Sequence, residues 1–247
     1  MKAVEKLLTL TLLFAGTASS AHATTVGTDQ FFESFEAPAL SYYPDNNGRW
    51  INFGDTPGFS GASGSRGLSF VGDSGSTWVV DTGNIDIVGP EWIAADGGQS
   101  VDMNGWERGS MYTYIELAPG RYELSFAFTR VPGGPQSVGL DVTWNGESIE
   151  GAPLYSSNDG TTSNMLWDWM SFELLVTPSA AAKGEMTTNQ LRFVSLVTDG
   201  PDCNCHGAAI DAISISRVAE VPAPDSLSLM ALGLPLLLLS RRRGIRR

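Results

Sequence analysis

Cysteine and histidine are nearly absent from this chain, with two of each in 247 residues. His22 lies in an N-terminal segment read below as removable, so His206 is the single imidazole of the remainder. A serine hydrolase would have to use it as its base, and no Gly-x-Ser-x-Gly elbow stands in the same region. Cys203 and Cys205 flank one asparagine, too close for a relaxed disulfide. They lack the two-residue spacer of haem attachment, and zinc would need ligands that the sequence does not group beside His206. Basic residues are scarce as well. Residues 24–219 hold 24 acidic and eight basic side chains, a net charge of −16. Nucleic acid is excluded as a partner, because its phosphates would be repelled. Calcium, or neutral ligands such as sugars, suit that balance. No apolar run reaches the ~20 residues of a comfortable membrane span.

The two ends carry their own punctuation. Met1 to Lys6 is a short head with two lysines, Leu7 to Gly16 is apolar, and Ala21-His22-Ala23 closes the segment. That is the layout of a secretory signal peptide over residues 1–23, cleaved after Ala23. At the other end, over residues 220–247, Val221-Pro222-Ala223-Pro224-Asp225 breaks regular structure. Apolar Ser226 to Ser240 follows, then a tail with five arginines. An apolar stretch capped by arginines stops in the inner membrane with its basic end inside, and this one is short enough to be a transient sorting segment. The three-part layout resembles the PEP-CTERM sorting tail, with Val221, Pro222 and Pro224 at the processing break and exosortase as the sorting protease. Ala223 stands where that tail usually has glutamate. A plain C-terminal membrane tail is the alternative.

Strand signals fill residues 24–219. Tyr122, Leu124, Phe126 and Phe128 alternate with polar neighbours, as do Val138, Leu140, Val142 and Trp144 before Asn145-Gly146, a type I′ hairpin signal. Phe172 to Val176, Leu191 to Val197 and Ala209 to Ser216 continue the pattern. The Gly/Ser-rich stretch from Phe53 to Ser76 reads as loops with a short strand at Leu68 to Val71. No helical period of comparable length competes. Short alternating runs separated by Gly, Pro, Asn and Asp predict one all-β domain of two packed sheets.

Several motifs then fall in a familiar order. Ser34-Phe35-Glu36 stands near the mature start, where galactose-binding-like jelly rolls have their opening strand. Trp78 to Asp86, Trp92, Ala95 to Gly105, Leu117 to Tyr122 and Gly207 to Ser214 follow. The succession resembles the choice-of-anchor C family, relatives of a plant cell-wall domain of unknown function, over most of residues 31–216. Trp106-Glu107-Arg108 and the cysteine pair depart from it locally. The resemblance implies a jelly-roll β-sandwich and polysaccharide binding. Related jelly rolls hold a structural calcium between a first-strand glutamate and a last-strand aspartate, which implies Glu36 and Asp211 here, with Asp102 a third candidate. Asp211 shares parity with Ala209, Ile213 and Ile215, so it is expected to face inward. Capping backbone amides is its alternative role.

Sugar rings stack their C–H faces on aromatic side chains, and all seven tryptophans lie within residues 24–219. Trp50 and Trp106 adjoin Gly- and Asn-rich sequence, Trp167 and Trp169 follow a polar stretch, and Tyr112 and Tyr114 alternate with core-side residues. These six are the ligand-contact candidates, with plain packing as the alternative for each. Trp78, Trp92 and Trp144 read as structural. The whole predicts an exported, non-catalytic polysaccharide-binding module of the cell surface or biofilm matrix, touching the inner membrane transiently through its tail. The alternatives are an adhesive surface protein that binds proteins and a polysaccharide-acting enzyme using a pair among its many carboxylates.

Overall fold

In the computed structural model, residues 26–42, 48–54, 67–158, 160–178, 186–197 and 206–219 are described. The signal and tail segments lie outside them, with Ala23, Val221, Pro222 and Pro224, and so do Cys203 and Cys205. The structure is all-β. Fourteen strands form two seven-stranded sheets, and the helical content among the described residues is a single 3-10 turn, Leu40–Tyr42.

The first sheet contains β1 (Val26–Glu33), β2 (Trp50–Gly54), β5 (Asn84–Val88), β6 (Ser100–Asp102), β8 (Gly120–Arg130), β12 (Asp168–Val176) and β14 (Ala208–Val218). Its order is β12-β8-β14-β6-β5-β2, with β1 also on β14. The second contains β3 (Ser69–Val71), β4 (Thr77–Thr82), β7 (Ser110–Leu117), β9 (Val138–Trp144), β10 (Glu147–Ser148), β11 (Leu154–Ser156) and β13 (Thr187–Ser195). There the order is β10-β9-β13-β7-β4-β3, with β11 on β9. All the pairings are antiparallel.

Period-two alternation makes this a sandwich. Tyr122, Leu124, Phe126 and Phe128 of β8 and Leu140, Val142 and Trp144 of β9 all enter one core. Each such side chain contributes about 1.5–3 kcal/mol by leaving water. Trp78 is fully buried among Phe31, Phe35 and Phe193, with ring centroids 5.6–6.4 Å apart. The β9–β10 connection is the expected type I′ turn, with Asn145 and Gly146 both at positive φ.

Two readings need correction. Ser34-Phe35-Glu36 follows the opening strand rather than forming it, and Phe35 leaves the extended region at φ 58°. Asp211 does not face inward. Ala209 and Asp211 point away from the sandwich core. A bulge between Asp211 and Ser214, with Ala212 at φ 49°, then returns Ile213 and Ile215 to it. One irregular residue has reversed the parity.

Candidate tryptophan groove

The outer face of the first sheet carries a row set by strand register. Asn52 of β2 pairs with Asp86 of β5, Asp86 with Asp102 of β6, Asp102 with Ala209 of β14, and Ala209 with Thr129 of β8. One step along the strands, Trp50, Val88 and Ser100 form a second row on the same face. Neighbours opposed in this way have Cβ atoms about 4.5–5.5 Å apart, so the two aspartates sit side by side on one floor.

Two loops wall this floor. Pro90 to Gln99 joins β5 to β6, and the polar stretch before β12 meets it, where the Ile93 N–H donates to the Thr162 carbonyl at 3.2 Å. Beneath the loops Trp92 and Trp167 pack on Val131, Met165 and Ala209. Their indole N–H groups are anchored, Trp92 to Ser100 Oγ at 2.8 Å and Trp167 to the Ile93 carbonyl at 3.1 Å. The third wall is the turn after β6. Buried Asn84 holds it by accepting the Trp106 and Glu107 N–H groups on Oδ1 and the Gly105 N–H on its carbonyl. A Cβ at Gly105 would lie 2.3 Å from Asn84 Oδ1 and 2.4 Å from Asn52 Nδ2, so that turn needs glycine.

The result is a groove of about 280 Å³ with three indoles, Trp50, Trp92 and Trp106, around Asp86, Asp102, Glu91 and His206. Its electrostatics follow from burial. Asp86 is pushed up to about 7 by desolvation, which one hydrogen bond from Asn52 Nδ2 at 2.7 Å only partly offsets. Asp102 is held well above the carboxylate range by burial, with the neighbouring Asp86 adding to it, although Oδ1 accepts the Asn104 and Gly207 N–H groups at 2.9 Å each. Burial lowers His206, opposed by Glu91, and Glu91 is itself paired with Arg49. The groove therefore combines three indoles with donors, acceptors and carboxyls that ionise later than ordinary ones. Such a surface suits a hydroxyl-rich ligand of modest size.

The six aromatic candidates do not converge on one place. Trp50 and Trp106 meet in the groove, and Trp92, read from sequence as structural, joins them. Trp167 is a partly covered support under the adjoining loop. Trp169 is 61% exposed on edge strand β12, on the same outer face but outside the groove. Tyr112 and Tyr114 stand edge to face, 5.5 Å apart, on the outer face of the other sheet. Sequence reasoning misses Asp86 and gives Asp102 only as a third calcium candidate. Their signal was a lone aspartate among apolar neighbours in two short strands, Ile85-Asp86-Ile87 and Val101-Asp102-Met103.

Glu36 and Asp211 grip the same loop at separate points. Glu36 Oε1 accepts the Gly98 and Gln99 N–H groups at 2.7 and 2.8 Å. Asp211 Oδ2 accepts those of Ala95 and Asp96 at 2.7 and 2.9 Å, and its Oδ1 accepts that of Ala212 at 2.7 Å. Both carboxylates are turned to N–H donors, whereas calcium needs six or more converging oxygens. Asp211 thus takes the amide-capping role, and the pair does not fit a cation in this arrangement. Among the described residues no group of three or more His, Cys, Asp or Glu is placed to hold a metal ion.

No protein-family model matches the chain. Among curated proteins, a 147-residue stretch is 29% identical to Halomucin of Haloquadratum walsbyi, covering 58% of this chain. That stretch spans about 1% of Halomucin's length. Among solved structures, the chain is similar to the CBM22-1 xylan-binding domain of a Paenibacillus barcinonensis protein at 15% identity and a TM-score of 0.39, over 81% of this chain and 100% of that one. It is also similar to a family 35 carbohydrate-binding module of Clostridium thermocellum at 15% identity and a TM-score of 0.33, over 56% and 86%.

Proposed function

We infer that this protein is a non-catalytic polysaccharide-binding module that takes a sugar unit in the Trp50–Trp92–Trp106 groove. The observation that carries it is the convergence of three indoles, held by three different segments, around polar groups that include two carboxyls whose ionisation burial delays. Stacking on indole needs a flat apolar ring face, and the floor then meets hydroxyls with paired donors and acceptors. The signal-like start and the sorting-tail-like end support an exported protein of the cell surface or extracellular matrix. The motif order that resembles the choice-of-anchor C family, and the PEP-CTERM-like tail with its sorting protease, belong to the same reading. Catalysis is not part of it. Asp86 and Asp102 are neighbours on one floor, while glycoside hydrolysis needs carboxyls flanking the scissile bond from two sides.

The test is binding to a panel of soluble polysaccharides by affinity electrophoresis, followed by calorimetry with oligosaccharides of the retained polymer. At least one polymer should be retained, and Trp50→Ala and Trp106→Ala should release it. Retention of no polymer at millimolar sugar would overturn the reading in favour of an adhesive protein. Loss of binding through Tyr114→Ala instead would place the ligand on the opposite sheet.

A further inference from the structure

Resting on that reading, the groove's polar floor narrows the kind of sugar. Asp86 and Asp102 are adjacent acids on one surface, and the hydrogen bonds they accept come from neutral amides: Asn52 Nδ2 for Asp86, and the Asn104 and Gly207 N–H groups for Asp102. Among the described residues no lysine or arginine forms an ion pair with either. Asp102 is 2% exposed and lines the cavity, yet its Oδ2 accepts no hydrogen bond among the described residues. The other titratable groups facing the cavity are Glu91, already paired with Arg49, and His206, which burial keeps toward its neutral form. Among the described residues the floor is therefore an acid pair without a lysine or arginine partner, and three indoles line the same cavity. A cation is stabilised by both partners at once, by charge-assisted hydrogen bonds to the carboxylate and by the negative faces of the tryptophans.

We propose that the groove selects a sugar bearing a free amine, a hexosamine unit whose ammonium sits at Asp86 and Asp102 while its ring stacks on the indoles. A uronic acid would bring a second anion to this floor and be rejected. An N-acetylated sugar would stack but leave the acid pair uncompensated.

Asp86 loses its proton near pH 7, and the negative charge it then carries is enough for one ammonium. Below neutrality the carboxyl is protonated, and well above it the sugar amine is neutral. Affinity for an amino sugar should therefore peak around neutrality and fall on both sides. An acetylated sugar has no such second limb.

The experiment titrates the full chain with oligomers of glucosamine, of N-acetylglucosamine and of an uncharged hexose, by calorimetry between pH 5 and pH 9. The expected result is that the glucosamine oligomer binds about tenfold or more tighter than its acetylated counterpart, roughly one charge-assisted contact, with a bell-shaped pH profile. Asp86→Asn, whose folding is checked by its melting midpoint, should erase that preference, so that the amine and acetyl forms bind with equal affinity and the bell-shaped profile flattens. Equal affinity for the amine and acetyl forms would overturn the amine proposal and leave the polysaccharide reading standing. Binding of none of the three, together with retention of no polymer on the panel, would overturn both.

Discussion

Asp86→Asn should make the protein more stable at alkaline pH, and the size of the gain can be worked from the groove. An unfolded aspartate titrates near 3.8, whereas Asp86 in the fold is pushed up to about 7 by burial. The folded state therefore holds that proton more tightly than the unfolded chain does. Below about pH 4 both states are protonated and the carboxyl costs nothing. As pH rises from about 4 to 7, the unfolded chain gives up the proton first and stability falls; above about 7 the loss is complete. At about 1.4 kcal/mol per pH unit the full penalty is roughly 4 kcal/mol. The groove admits solvent to the carboxyl, so about 2–4 kcal/mol is the expectation. The substitution keeps an oxygen for the Asn52 amide and removes only the charge. A domain of this size gains roughly 2–4 °C per kcal/mol, so the melting midpoint should rise by about 5–10 °C at pH 8.5 and barely at pH 4. Thermal unfolding followed by tryptophan fluorescence at the two pH values measures it. A midpoint that is unchanged at pH 8.5, or equally raised at both pH values, would refute the claim that Asp86 is an ionisable group held against its own solvation.

Three further outcomes follow from other parts of the molecule. Trp50→Ala and Trp106→Ala should each weaken sugar binding about tenfold or more, the loss of one stacked ring face, and Trp169→Ala should not; calorimetry that shows the reverse order would move the site to the edge of β12. Glu33 is fully buried and accepts from the Phe35 and Asp73 N–H groups, Ser74 Oγ and Trp78 Nε1, so Glu33→Ala strands four donors and should cost about 3–5 kcal/mol in urea unfolding; a loss under about 1 kcal/mol would show that the contacts are replaceable. Excess chelator should leave the melting midpoint where it is, because Asp211 commits both oxygens to backbone amides; a fall of several degrees would restore a cation between Glu36 and Asp211.

Legibility divides along strand length. In β8, β9 and β13 the alternation runs for seven or more residues, long enough for the period to show which side chains meet the core. Where strands are short the period has no room to declare itself, as in β6 with three residues, all buried. Ser100 and Asp102 look like core positions by burial, and only the register with Asp86 shows that they face the groove. Asp211 fails for a different reason. The bulge at Ala212 inserts a step into the count, and nothing in Ile210-Asp211-Ala212-Ile213 distinguishes a regular strand from a bulged one. Trp92, expected to be structural, is so, and a tryptophan can also do a second job. It packs on the Val131 and Met165 cluster, ties its N–H to Ser100 and still lines the cavity.

The groove forms on the first sheet because a cavity needs walls as well as a floor. On the second sheet the connections that stay within it are tight: Asn145-Gly146 turns β9 into β10, and Gly72 to Ser76 turns β3 into β4. On its outer face Tyr114 is 57% exposed and Arg192 pairs with Asp81 at 3.0 Å. On the first sheet the β5–β6 loop and the stretch before β12 fold back over the strands and are tied down from several directions. Glu36 and Asp211 hold the first loop by its amides, and Ile93 bridges to the second. These contacts make burial possible on what would otherwise be a solvated face. Burial in turn lifts Asp86 and Asp102 out of the ordinary carboxylate range. The carboxylates that resemble a metal pair in sequence thus fix the wall against which the tryptophans and the acid pair are set.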